Sequence, residues 1–329
     1  MENNKEIKKT MIGGQALIEG IMMRGPDKDA IVVRNKDGIQ VEVTPRKKRK
    51  KGSVATWPVI RGAVTFFDSQ IVGVKALMRS ADLSPEEGVQ EEPTKFDLWL
   101  EKKLGNEAFQ KLLVGIAVAM GMGLSILLFF LLPMVIAGFL DKIVENVLVL
   151  NLIEGVVRII IFFGYMFLVS RMKEMRRVFA YHGAEHKTIR CYEAGLELTV
   201  ENVRPQTRLH PRCGTSFLLV VMVLSILLFS IASSLILAIV PSLAPLRGTL
   251  LYRFVMIVCK LLLLPLVVGV TYECNRWIGR HDNALTRILS APGMFFQKFT
   301  TNEPDDEMIE VGIASLKAVL PEQEGADAW

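Results

Sequence analysis

Three stretches of this chain are long and apolar enough to decide its class before any motif is considered. Leu112 to Leu132 carries no charge, and Val135 to Leu140 continues it past Pro133; Phe217 to Val240 is uncharged throughout; Leu250 to Val270 carries only Arg253 and Lys260. A helix rising about 1.5 Å per residue crosses a hydrocarbon core of about 30 Å in about 20 residues. One such run can be the central helix of a soluble domain. Three in 329 residues cannot all find a water-free core, so the chain reads as a membrane protein.

A fourth span is shorter and less clean. Val156 to Val169 is apolar but holds Arg158, and reaching back to Val147 takes in Asn151 and Glu154. Glu154 and Arg158 are four residues apart, so on a helix they share a face and can pair, which lowers the cost of burying either charge. The alternative is an interfacial helix over 143–153 followed by a short crossing. The spans are expected at 109–140, 147–170, 217–240 and 250–272. Lys and Arg gather in Arg46-Lys47-Lys48-Arg49-Lys50-Lys51, in the 171–212 connection and after the fourth span, while the segments after the first and third spans are poor in them. By the positive-inside rule both termini and the 171–216 connection are then cytoplasmic. The charged opening residues predict no cleavable signal peptide. The net charge of +5 is accounted for by this asymmetry and calls for no nucleic-acid partner. Cys191, Cys213 and Cys274 fall on the cytoplasmic side and Cys259 within a span, so reduced thiols are expected.

Outside the spans, residues 1–10 form a flexible start and 11–58 a small cytoplasmic β module. Ile39, Val41 and Val43 alternate with Gln40 and Glu42 as in a half-buried strand, and Asn35-Lys36-Asp37-Gly38 joins it to Ile31-Val32-Val33. The glycine-punctuated Gly13 to Gly25 reads as one bulged strand. The basic loop 46–51 suits orientation or contact with anionic lipid headgroups, and no aromatics interleave with it to stack bases. Residues 59–80 have helical apolar spacing with charges between, which fits an amphipathic, interfacial helix. An acidic linker follows at 81–98. The tail 273–329 ends in an amphipathic helix over 304–320, with Ile309, Ile313, Leu316 and Leu320 as its stripe. The fold expected is an α-helical multi-pass membrane protein with four transmembrane helices, a β-containing N-terminal module and cytoplasmic helical segments.

Chemistry concentrates in Tyr181-His182-Gly183-Ala184-Glu185-His186-Lys187, which holds two of the chain's four histidines. The helix is expected to run from the second span through Phe179 to Glu193 and to stop at Gly195. His182 and His186, four apart, can face one ion with Glu185 beside them as proton acceptor; His-x-x-Glu-His is the inverted zinc-peptidase spacing. The competing reading is a helix with two polar histidines facing water. A catalytic zinc takes three protein ligands, and the third is sought in His210 or Cys213 of His210-Pro211-Arg212-Cys213-Gly214. Glu193 lies seven residues past His186, about 10 Å along the axis, so it suits support of the ligands from outside the coordination sphere. Glu273 is a second such candidate, and His281 and Asp282 are more remote donors.

Gly13-Gly14-Gln15-Ala16-Leu17-Ile18-Glu19-Gly20-Ile21-Met22-Met23-Arg24-Gly25-Pro26, the His182–His186 stretch, His210-Pro211-Arg212-Cys213-Gly214-Thr215-Ser216-Phe217 and Ala291-Pro292-Gly293 together resemble the YqhQ-like family. The resemblance covers about residues 11 to 320. It implies a bacterial multi-pass protein of the cell (inner) membrane, of unknown function and described as a predicted metal-dependent enzyme. Two function classes follow. One is a metal-dependent hydrolase at the membrane boundary, with zinc on His182, His186 and His210 or Cys213 and with Glu185 as base. The other is a non-enzymatic factor that binds or assembles other membrane proteins through its cytoplasmic domain. A transporter is a weaker third, since the spans hold few ionisable residues beyond Glu154, Arg158, Arg253 and Lys260.

Overall fold

The computed structural model describes residues 9–46, 52–84, 105–140, 143–144, 146–281, 283–323 and 325–328. The start 1–8, the basic run 47–51, most of the acidic linker and Asp282 lie outside the described residues. The chain divides into two compact units. One gathers residues 1–85, 165–225 and 263–329, the other 86–164 and 226–262.

The first unit is built on an antiparallel sheet in the order β1 (Gly13–Leu17), β2 (Gly20–Arg24), β3 (Lys28–Asn35), β4 (Gly38–Pro45). The Gly13–Gly25 segment is therefore two strands and not one bulged strand. Leu17 pairs with Gly20, and Glu19 makes the reversal at φ 50°. The left-handed backbone at Glu19 is held by its side chain, which accepts from Arg177 at 2.5 Å and from the Tyr181 hydroxyl at 3.1 Å.

Pairing of Ile21 with Val32 and Met23 with Ala30 puts these four on one face, since directly opposed residues share a face. That face packs on α5 (Lys173–Glu193) and α10 (Asp306–Val319) through Tyr181, Ala184, Met308, Val311 and Leu316. Leu17 and Met22 face the other way and meet Ala76 of α1 (Ile60–Leu83). Ile39, Val41 and Val43 of the edge strand are exposed by 36–48 %, so the strand expected to be half-buried carries its apolar face beyond the helices that cover β3.

Helix α1 meets the rest of its unit through small side chains. Its small residues Gly62, Gly73, Ala76 and Ser80 are buried, while Phe67, Ile71, Val74 and Met78 point outward. Its start is fixed at one end of α8 (Leu250–Arg280), where Arg61 pairs with Glu273 and the Val59 N–H donates to the same carboxylate at 3.3 Å. The helix expected to flow from the second span into the site instead breaks, with Met172 extended (ψ 137°) ahead of α5. It ends as expected at Glu193, with Gly195 at φ 66°, and the short α6 (Val200–Val203) follows. The tail holds an additional helix, α9 (Ala284–Thr300), capped reciprocally by Asn283 and Thr286.

The second unit contains α2 (Asn106–Ile126), a wide π turn (Leu127–Leu131), α3 (Leu132–Gly138) and α4 (Val147–Val169). It also takes the later part of α7 (Gly214–Ile239) and the earlier part of α8. Helix α4 is continuous through 147–153, with the Asn146 side chain accepting from the Leu148 and Val149 N–H groups. Among the described residues four helices are long and apolar enough to cross a membrane: Leu112–Gly138, Leu148–Val169, Phe217–Ile239 and Leu250–Arg280. Met120, Ile160, Ile231 and Leu262 on them are 61–76 % exposed, as lipid-facing side chains would be.

Three charges within these helices, Glu154, Arg158 and Lys260, meet one another. Glu154 accepts from Arg158 at 2.7 Å and from Lys260 at 2.7 and 2.8 Å. Pro133 brings no N–H, so the Phe129 carbonyl one turn earlier lacks its α-helical donor; Arg158 Nε supplies one at 2.7 Å.

Candidate metal centre

His182 and His186 lie on one face of α5 with ring centroids 4.4 Å apart. His182 Nδ1 is 2.8 Å from the Thr300 carbonyl oxygen, and His186 Nδ1 is 2.5 Å from that of Arg208. A carbonyl oxygen only accepts, so both rings carry a proton on Nδ1, which leaves Nε2 as the atom that can face an ion. His182 Nε2 is 3.3 Å from Cys213 Sγ, while His186 Nε2 is buried with no hydrogen-bond partner among the described residues. The donor atoms of His182, His186 and Cys213 all lie within 4.8 Å of one another. Tetrahedral zinc with ordinary bond lengths would separate such atoms by about 3.4–3.6 Å, a small contraction. Imidazoles oriented through Nδ1 by backbone carbonyls are the usual support of metal-bound histidine.

Cys213 sits where α7 begins. The Thr215 N–H points at its sulfur at 3.4 Å, so the helix N-terminus favours a thiolate. Burial pushes this thiol up, but the charges of His186 and His182, with the His182 hydrogen bond, outweigh it and hold the thiol well below its ordinary value. Burial likewise works against protonated His182, yet the Cys213 charge and hydrogen bond, with Glu185, push it up to about 9. Without an ion the pair is thus a thiolate beside an imidazolium.

Glu185 Oε1 accepts the Gly14 N–H at 2.8 Å, and Oε2 is buried without a partner among the described residues. Burial raises its carboxyl above the ordinary range, opposed by the charges of His182 and His186. Gly14 is required for this approach, because a Cβ there would lie 2.6 Å from the Met22 carbonyl oxygen and 3.0 Å from Glu185 Cδ.

The other sequence candidates are placed elsewhere. His210 turns its Nε2 to Glu193 Oε2 at 3.2 Å, and burial lowers its basicity. Glu193 also accepts from Arg212 and from the Thr10 N–H at 3.0 Å. Burial raises the Glu193 carboxyl, but the hydrogen bond and charge of His210, together with Arg212 and Thr10, bring it below its ordinary value. Glu193 therefore anchors the loop that presents Cys213. Glu273 binds Arg61, and His281 Nδ1 faces the Trp277 carbonyl oxygen. Of the two proposed third ligands, the structure brings Cys213 to the histidines.

Three positioning residues escaped sequence reasoning. Gln297, fully buried, clamps the His210 backbone with both amide atoms at 2.8 and 2.7 Å, and Thr300 and Arg208 act through main-chain carbonyls. A backbone acceptor leaves no trace in residue identity. A glutamine between Phe296 and the phenylalanine at 299 was the one available signal.

Gly183 lets this arrangement close. A Cβ there would lie 2.0 Å from the Asn302 carbonyl oxygen, in the segment that carries Thr300. Gly183→Ala is expected to cost about 1–3 kcal/mol of stability through overpacking and, if His182, His186 and Cys213 hold an ion, to weaken its binding by displacing the Thr300 carbonyl. Gly164→Ala, whose Cβ would meet nothing within 4 Å, should do neither. Thermal unfolding and metal stoichiometry of the two variants check this.

Fold and site define a class: a protein with four helices suited to a membrane, and a His-His-Cys cluster backed by a buried carboxylate in a separate α/β unit. The chain belongs to the family described as "Protein of unknown function (DUF1385)", which it matches over residues 57–322. It is 32 % identical over 320 residues to the "Uncharacterized protein YqhQ" of Bacillus subtilis (strain 168), an alignment covering 94 % of this chain and 92 % of that one. No solved structure matches.

Proposed function

We propose that the chain is a metal-dependent hydrolase working at the cytoplasmic boundary of the bacterial cell membrane. His182, His186 and Cys213 would hold a divalent ion, zinc by the softness of its donors, and Glu185 would be the base. The observation that carries this reading is the convergence of two carbonyl-locked imidazoles on one sulfur, with the unpartnered Oε2 of Glu185 alongside. The ion would supply Lewis-acid polarisation of a carbonyl or phosphoryl oxygen. Glu185, raised toward neutrality by burial, would take the proton of the attacking water and return it to the leaving group. The orientation rests on the excess of Lys and Arg around the site and in the N-terminal region. The bilayer is the principal partner, with the outward Phe67, Ile71, Val74 and Met78 of α1 as a further contact.

That same apolar face favours a second reading, a non-enzymatic assembly or regulatory factor in which the His-Glu-His cluster only braces the domain. Glu185→Gln separates the two. It keeps the shape and the Gly14 hydrogen bond but removes the base. On the hydrolase reading metal content stays at the wild-type level while rescue of cells lacking the native copy falls by about 10²–10⁴ in the underlying rate. Full rescue by this variant would overturn the hydrolase and leave the assembly factor standing.

A further inference from the structure

Hydrogen-bond bookkeeping in the membrane-suited unit leaves a surplus of donors around one cavity. The cavity, about 40 Å³, lies between Met134, Ala137 and Gly138 of α3, Leu150, Asn151 and Glu154 of α4, and Met256 and Lys260 of α8, with Arg253 at its wall. A water needs about 10–15 Å³ of such space, so there is room for a compact oxyanion or about three waters.

A protonated lysine has three donors and an arginine five. Lys260 uses two on Glu154. The Arg158 Nε goes to the Phe129 carbonyl oxygen and its Nη2 to Glu154. Asn151 Nδ2 is buried with no acceptor among the described residues. The Arg253 guanidinium lies against the backbone at Gly138, where a Cβ would meet its Nη2 at 2.3 Å, and it has no ion-pair partner among the described residues. Arg158 and Lys260 thus share a single carboxylate, Glu154, which already accepts three hydrogen bonds, and Arg253 adds a further positive charge at the same cavity. Uncompensated positive charge between membrane-suited helices is costly, and charges there are paired or mark a ligand site.

We infer that this cavity binds a phosphate-type oxyanion, received by Lys260, Asn151 and the fork of Arg253. The chemistry is shared by two sources, the headgroup of an anionic phospholipid and a free phosphate. A forked guanidinium and an ammonium are the usual receivers of such groups. The inference is independent of the metal reading, since it uses none of its residues.

The test uses the full-length protein, delipidated in neutral detergent. Its unfolding midpoint is followed with inorganic phosphate against gluconate at equal ionic strength, and with phosphatidylglycerol against phosphatidylcholine. Wild type should be stabilised by one of the two anionic additions over its control. A rise with phosphatidylglycerol alone assigns a headgroup, and a rise with inorganic phosphate assigns a soluble oxyanion. Arg253→Gln, which breaks no ion pair described here, should weaken the apparent affinity about tenfold or more, the weight of one charge-assisted contact. Asn151→Leu should weaken it less. No rise over either control, or an equal rise in Arg253→Gln, would overturn the site.

Discussion

Glu154→Gln is expected to be the most destabilising single change in the membrane-suited unit, at about 3–5 kcal/mol. Glu154, Arg158 and Lys260 are each no more than 7 % exposed, and the carboxylate is the only anion bonded to the two cations among the described residues. Neutralising it leaves both cations buried, which is the costly half of breaking a buried pair. Arg158 retains the Phe129 carbonyl oxygen and the rings of Phe130 and Phe229, at 5.5 and 5.9 Å. Lys260 retains nothing comparable, so most of the loss should trace to it. The double variant Glu154→Gln/Lys260→Met is therefore expected to recover more than half of the loss, a coupling that a double-mutant cycle in detergent would read directly. A double variant as unstable as the sum of its parts would show that the triad contributes little as a unit.

How much of this was open to sequence reasoning depended on whether the signal was local. The four apolar helices were legible because length and hydropathy are properties of a contiguous run. The Glu154–Arg158 pair was legible because both lie on one helix. Lys260 joining them was not, since nothing in sequence links positions 106 residues apart. The same limit governs the site. His182, Glu185 and His186 share one turn and could be read together. The choice of Cys213 over His210 could not, because it turns on Glu193 and Gln297 holding His210 away, contacts spanning 17 and 87 residues. Glycine misled at 13–25, where a two-strand hairpin looks like a bulged strand once the reversal falls on Ile18-Glu19. Helix α1 was legible only in part. Its apolar spacing gave an interfacial helix without saying which residues meet the protein, whereas close approach to the sheet selected Gly73, Ala76 and Ser80 and turned the large ones out.

Metal binding is expected to be coupled to proton release from His182, and this gives the second large effect. Without an ion, His182 holds its proton up to about 9, against an ordinary value of 6.5. An ion on Nε2 must displace that proton, so apparent affinity should rise about tenfold per pH unit up to about 9 and level off above it. His182→Ala removes both a ligand and the proton, so it should abolish the slope and weaken affinity by more than the about 10–100-fold typical of losing a group outside the coordination sphere. Competition against a chromophoric chelator from pH 6 to 9 measures both. The stability of the metal-free protein should change little between about pH 6.5 and 9. Folded, the His182–Cys213 pair holds one proton as an imidazolium beside a thiolate; unfolded, a neutral imidazole and a thiol also hold one, so the stability lost through the raised His182 is offset by that gained through the depressed Cys213. Ion-loaded protein should gain over the same window, because stabilisation by a ligand grows with its affinity. The two unfolding curves should therefore diverge with rising pH; parallel curves would mean that no ion takes the place of the His182 proton.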